Sequence, residues 1–247
     1  MNKLLPLFLV ALAVTTASTL LLARPVRDDL AARHFTLPQE NAIVPIDYIE
    51  STGTQYLNLL FKKGDYPSIS IEVRFSYCRN RGNDTRYYNG LMGWCEGSNG
   101  YSTGLRVNHN GIALYDGRNE SGNVIVEDTP PVDIEAFLST HGAIVNGIVV
   151  PDYILSTTFS SNNYPFGLFC FSSSVTCTPK GGSSAFSVGI GRCHYLRVYS
   201  GDTLVHYFQP VRIGSTGYML DTITGTLFAN QGTGDFLLGP DIAPLDL

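Results

Sequence analysis

The sequence is short of charge. Asp, Glu, Lys and Arg make up only 15% of its 247 residues, and the formal net charge is −5. Binding a nucleic-acid backbone takes a basic face that displaces counterions, so this balance argues against a nucleic-acid partner. Arg79, Arg81 and Arg86 beside Tyr87-Tyr88 form a local basic run without altering it. Several chemical signatures are missing as well. The five cysteines, at 78, 95, 170, 177 and 193, contain no C-x-x-C pair, which leaves zinc-knuckle and thioredoxin-type chemistry without support. His34, His109, His141, His194 and His206 show neither H-x-H nor H-E-x-x-H spacing. The G-x-S-x-G elbow of serine hydrolases is absent, so no Ser-His-Asp order can be argued. There is no repeat of fixed period, and no amphipathic helix after residue 44.

What is plentiful is Gly (25), Tyr (14) and Phe (13). Many short strands joined by Gly-rich turns produce that balance. At the N-terminus, Lys3 precedes an uncharged run over residues 4–23, and Arg24-Pro25 ends it. A charged start and an apolar core describe a secretory signal, with Ala11-Leu12-Ala13 or Thr15-Thr16-Ala17 as cleavage site. A helix of that length would also rise about 30 Å, enough to span a bilayer, so an uncleaved anchor is the rival reading. Either places the rest of the chain outside the cytoplasm, secreted, periplasmic or at the cell surface. Any membrane contact would run through residues 4–23. Residues 24–44 read as a linker, with a short helix over Asp28–Phe35 stopped by Leu37-Pro38.

From residue 45 to 241 the reading is β, followed by a tail over 242–247. Ile69, Ile71, Val73 and Phe75 alternate with Ser70, Glu72 and Arg74, the pattern of a strand apolar on one face. Ser76 to Thr85 reads as polar loop, and so do residues 116–131. Asn110-Gly111 and Asn146-Gly147 are hairpin turns. Phe166 to Phe171 reads as buried on both faces, and residues 194–209 as a hairpin about Ser200-Gly201-Asp202, with His194 and His206 facing one another across it. Strands spaced about every 8–12 residues predict an all-β sandwich. In an oxidising compartment up to two disulfides would form. Cys170 and Cys177, bracketing a polar loop, are the first candidates, and small buried hydrophobes are the alternative reading of the cysteines.

Three segments carry a family resemblance: Tyr48-Ile49-Glu50-Ser51-Thr52-Gly53-Thr54-Gln55-Tyr56; Arg197-Val198-Tyr199 with Leu204 to Val211; and Tyr218-Met219-Leu220-Asp221 with Leu227 to Phe236 and Gly239-Pro240. Together they resemble the laminin-G-like, concanavalin A-like lectin/glucanase domains of bacterial surface and phage proteins. The resemblance implies a jelly roll of two antiparallel sheets, and no particular ligand, because that fold hosts lectins, hydrolases and spacers alike. Glycosidases of the laminarinase type on this fold carry Glu-x-Asp-x-Glu along one strand face, which this chain lacks; Glu127-Asp128 and Asp133-x-Glu135 are its nearest acidic clusters. Calcium, common in the wider family, would find oxygen ligands at Asp116, Asn119 and Glu120, residues that equally suit a turn. Gly232 and Gly234 read as turn residues, since no helix follows them to cradle a phosphate.

Sugar binding calls for an aromatic platform with planar polar neighbours. Arg86, Tyr87, Tyr88, Trp94, Tyr101 and Asn108 are the candidate patch, with a core role as the alternative for Trp94. The expectation is an exported, non-enzymatic recognition domain for carbohydrate or a cell-surface partner. A spacer domain of a surface assembly is the alternative, and a glycoside hydrolase ranks last.

Overall fold

The computed structural model describes residues 42–66, 68–79, 88–96, 101–108, 111–117, 123–126, 129–150, 153, 155, 164–171 and 186–243. Positions 63, 88–89, 95–96, 101–102, 108, 116–117, 123–126 and 186–187 are described by backbone course alone. The apolar run and the linker helix lie outside these residues.

The strands are β1 (Ile43–Pro45), β2 (Ile49–Thr52), β3 (Leu57–Lys62), β4 (Ile69–Arg79), β5 (Tyr88–Glu96), β6 (Tyr101–Asn108), β7 (Gly111–Gly117), β8 (Asn123–Val126) and β9 (Val132–Ser139). They continue as β10 (Gly142–Val145), β11 (Ile148–Val150), β12 (Pro165–Leu168), β13 (Phe186–Val188), β14 (Ile190–Ser200), β15 (Thr203–Ile213), β16 (Thr216–Asp221), β17 (Thr226–Ala229) and β18 (Leu237–Leu238). They make two sheets. The larger runs β11-β10-β9-β4-β14-β15-β16-β17, with β1 on β15, and β2 between β14 and β18. The smaller runs β3-β12-β5-β6-β7-β8, antiparallel but for β13 beside β5. The protein is an all-β sandwich.

The period-two pattern of β4 decides which face is inside. Ile69, Ile71, Val73 and Phe75 are buried, as are Ile134, Ala136 and Leu138 of β9 and Leu196 and Val198 of β14. They share one core with Leu105, Val107, Ile112, Phe166 and Leu168 of the smaller sheet. Each large apolar side chain so buried contributes about 1.5–3 kcal/mol. The alternate residues of the same three strands therefore face outward, and they carry most of the polar chemistry discussed below.

The turns follow residue chemistry. Asn146 (φ 50°) and Gly147 (φ 79°) make the left-handed pair that a two-residue hairpin between β10 and β11 requires. Two stretches depart from the sequence reading. β4 continues to Arg79 instead of ending at the polar residues after Phe75, because Ser76 and Arg79 find main-chain partners in Arg192 and Ile190 while Cys78 fills the core. Residues 123–126, predicted as loop, pair with β7 as β8.

The three resembling segments interlock. Gln231 N donates to Tyr56 O (2.9 Å), Thr233 N to Thr54 O (3.1 Å), and Tyr56 N to Asn230 Oδ1 (3.1 Å). Gln55 Nε2 donates to Asp235 O at 3.0 Å, while its Oε1 accepts from Thr52 N at 2.8 Å. Residues 230–235 thus close over the opening strand region, and the most recognisable residues serve the fold.

Candidate functional site

Of the patch expected between residues 86 and 108, the described positions Tyr88, Trp94, Tyr101 and Asn108 are spread along the β5–β6 ladder. Trp94 is 2% exposed, its ring edge-on to Phe166 at 4.7 Å and to Phe61 at 6.0 Å, so it is a core residue and not a stacking platform. Its strand position opposite Thr103, buried at 1%, carries the indole inward. The β5–β6 register pairs Glu96 with Tyr101 and Asn89 with Val107. Tyr101 therefore lies at one end of the ladder and Tyr88 and Asn108 at the other, about 20 Å apart at strand rise. Arg86 and Tyr87 lie outside the described residues, as do Asn119 and Glu120 of the calcium candidates. Asp116 sits on β7 opposite Thr103. Among the described residues no group of three His, Cys, Asp or Glu could hold a metal.

Cys170, one half of the disulfide expected from the sequence, is buried beside Phe169 and Phe171. Phe169, at φ 62°, and Phe171 are buried with it; Cys177 itself lies outside the described residues. Cys78 and Cys193 are buried thiols too, and burial pushes both well up, leaving them protonated and unreactive at neutral pH.

The outer face of the larger sheet is where polar and aromatic side chains gather. On β14 these are Arg192, His194, Tyr195, Arg197 and Tyr199, all partly exposed. Glu72 of β4 is their hub. It accepts from Tyr195 Oη (3.1 Å), Arg197 Nη1 (3.1 Å) and Tyr199 Oη (2.9 Å). The Arg197 guanidinium lies 4.8 Å from the Tyr195 ring centroid and 4.6 Å from that of Tyr207, a double cation–π contact. Burial, then the Glu72 charge and hydrogen bond, push the Tyr195 phenol up to about 12. The register extends this row sideways: Tyr207, Arg197, Glu72, Phe137, Ile144 and Val149 stand opposite one another on successive strands.

Next to that row, Arg74, Ser76, Asp133, Glu135 and Asn146 line a pocket of about 330 Å³. Asp133 and Glu135 thus share a face of β9, as their spacing predicts, and they border a concavity. Asp133 Oδ1 accepts from Tyr77 N (2.8 Å), and Asn146 bridges to the same strand by accepting from Glu135 N (2.8 Å) and donating to Asp133 O (2.9 Å).

Two irregularities aim side chains here. The β4–β14 register passes from Cys193↔Phe75 to Tyr195↔Arg74, so His194 is an extra residue in β14. It also passes from Arg192↔Ser76 to Ile190↔Arg79, so β4 carries an extra residue just after Ser76, where Tyr77 takes φ 55°. Bulges re-aim the side chains around them. The result is that Ser76 Oγ lies 2.7 Å from His194 Nε2, and His194 Nδ1 lies 3.1 Å from Asp47 Oδ1. The ring of Tyr48 covers His194 edge-on at 5.7 Å. A carboxylate only accepts, so Nδ1 carries a proton toward Asp47, and in the neutral ring the lone pair of Nε2 faces the serine hydroxyl.

His206 makes a second chain of the same type, with Nδ1 2.8 Å from Asp221 Oδ2 and Nε2 2.8 Å from Tyr66 Oη. The two histidines do not face each other across the hairpin: His206 opposes Val198, and its ring stacks on Phe61 and Phe208 at 5.4 Å. Neither chain has a sequence signal, because its hydrogen-bonded pairs lie 118 and 147 positions apart in the first and 15 and 140 in the second. Comparison with protein-family models, curated protein sequences and solved structures finds no match for this chain.

Proposed function

We propose that the chain is an exported recognition domain of the laminin-G-like, concanavalin A-like type, a jelly roll that binds carbohydrate, free or on a cell-surface partner. The two-layer architecture and the clasp between residues 51–56 and 230–235 support the fold assignment. The apolar run at residues 4–23 supports export. One observation carries the ligand class: Tyr195, Tyr199 and Tyr207 stand on one sheet face with Arg197 and Glu72 between them. Aromatic faces stack on the C–H surfaces of a sugar, and planar guanidinium and carboxylate groups bond its hydroxyls. This reading puts the binding surface on the outside of the larger sheet and not in the loops between 76 and 131.

The test is a glycan array followed by calorimetric titration of the hits. Binding that weakens about tenfold in Tyr199→Ala, with unchanged melting temperature, is expected. Folded protein that binds no polysaccharide sinks the reading.

Hydrolysis of a glycosidic bond is a second reading, favoured by the placing of Asp133 and Glu135 on one pocket wall. It ranks behind because Asp133 is engaged in closing the β4 bulge through Tyr77 N. New reducing ends that vanish in Glu135→Gln would raise it above recognition.

A further inference from the structure

We propose that Ser76, His194 and Asp47 form a nucleophilic triad that hydrolyses a small neutral carboxylic ester in the pocket beside Ser76. Four observations converge on it. The hydroxyl, imidazole and carboxylate are in line at 2.7 Å and 3.1 Å, with each imidazole nitrogen engaged by a different partner. The side chain of His194 is only 10% exposed, with the Tyr48 ring against it, which shields the base from water. Two bulges in opposite strands flank this one contact. Ser76 lines a pocket of about 330 Å³, which gives a small ester room beside it.

The His206 chain is the internal contrast. Its hydroxyl belongs to Tyr66, a phenol whose pKa is raised by burial and by Asp65 and Asp221, and Tyr66 is not among the residues that line the pocket beside Ser76. That chain locks a turn. The Ser76 chain borders a space where a substrate fits.

The chemistry balances without a cofactor. Ser76 Oγ attacks the ester carbonyl carbon while its proton passes to His194 Nε2. The C–O bond to the alcohol breaks, and that oxygen leaves with the proton from His194. Water, deprotonated by His194, then attacks the acyl-serine, releases the carboxylic acid and returns the hydrogen to Ser76. Asp47 is a positioning residue: it holds the tautomer and stabilises the imidazolium formed in each half-reaction. Arg74, two residues before Ser76 on the same strand face and also lining the pocket, supplies positive charge for the developing oxyanion. Asp133 and Glu135 on the opposite wall repel anions, which selects an uncharged acyl group such as acetyl. None of this requires a glycan on the Tyr195 face.

The experiment uses the full chain and two probes, an alkyl fluorophosphonate and p-nitrophenyl acetate. The fluorophosphonate loses fluoride as Ser76 Oγ bonds to phosphorus, and peptide mass spectrometry locates the adduct. The expected result is an adduct on Ser76 together with p-nitrophenol release above buffer that Ser76→Ala abolishes. His194→Ala should slow adduct formation about 10²-fold. Asp47→Asn should slow it too and Asp47→Glu restore part of the rate, while circular dichroism shows all variants folded. Labelling of wild-type protein needs no variant, so misfolding of a mutant leaves the result readable. An absent adduct, an adduct elsewhere, ester turnover that is missing or survives in Ser76→Ala, or a labelling rate unchanged in folded His194→Ala would each overturn the proposal.

Discussion

His206 and Asp221 are joined at the margin of the core, with Nδ1 2.8 Å from Oδ2 and the carboxylate side chain only 1% exposed. The same carboxylate accepts from Thr224 Oγ1 (2.7 Å), Tyr207 N (3.1 Å) and Ile223 N (3.2 Å). Burial pushes its pKa up, but the hydrogen bonds from His206, Thr224, Tyr207 and Ile223 outweigh that and hold it below the usual carboxylate value of 3.8.

This has a consequence for acid stability. A depressed pKa contributes stability that is present above the unfolded value and is lost as pH falls through the lower folded value. Urea unfolding should therefore show stability falling below about pH 4. Asp221→Asn should cost about 1.5–3 kcal/mol at neutral pH and flatten that acid limb. An acid limb unchanged in the variant would assign the effect to another group.

Tyr195 should show the opposite limb. Its phenol is raised from 10.0 to about 12, by burial first and then by Glu72. The contribution is complete below the unfolded value and is lost as pH rises through the folded one, so stability declines between pH 10 and 12. Tyrosine titration by NMR with Cζ labelling should place Tyr195 well above the unperturbed tyrosines, and Glu72→Gln should bring it down. Titration of Tyr195 near 10 in wild-type protein would contradict the burial of its hydroxyl against Glu72.

Gly232 is required by contact. A Cβ there would lie 1.9 Å from Thr54 O, a main-chain atom held by the clasp, although the residue has no left-handed φ. Gly232→Ala should destabilise by about 3 kcal/mol. At Gly217 the nearest contact is the flexible end of Leu238, at 2.6 Å, and the substitution should cost less. Denaturant midpoints in the reverse order would show that residues 230–235 do not sit closed on Thr54.

Trp94 and Tyr199 separate packing from recognition. Trp94→Ala should cost about 3–5 kcal/mol by opening a cavity against Phe61 and Phe166. Tyr199→Ala, on the sheet face, should cost little stability and reduce sugar affinity. Loss of affinity in a still-folded Trp94→Phe variant, with Tyr199→Ala silent, would return the binding surface to the β5–β6 region.

Much of the architecture was legible in local patterns. The alternation in β4, the Asn146-Gly147 turn and the hairpin about Gly201 each obey rules that act over a few residues. The polar end of β4 was not legible, because Ser76 to Arg79 are held by main-chain partners in β14 and β9 that composition does not reveal. The same strand register separates positions that lie close in sequence. Neighbours in sequence, Tyr88 and Tyr101, are carried to opposite ends of a ladder, while Glu72, Tyr195 and Tyr207 are brought side by side from distant positions.

By itself the sequence determined the alternation of faces, the turns and the residues that close the sandwich, because steric preference and hydrophobic period are local properties. Only the tertiary structure decided which hydroxyl meets which histidine. Ser76, His194 and Asp47 lie on three separate segments, and they meet through one extra residue in each of two paired strands. A bulge is defined by the register between strands, so its effect on where a side chain points exists only once those strands have paired.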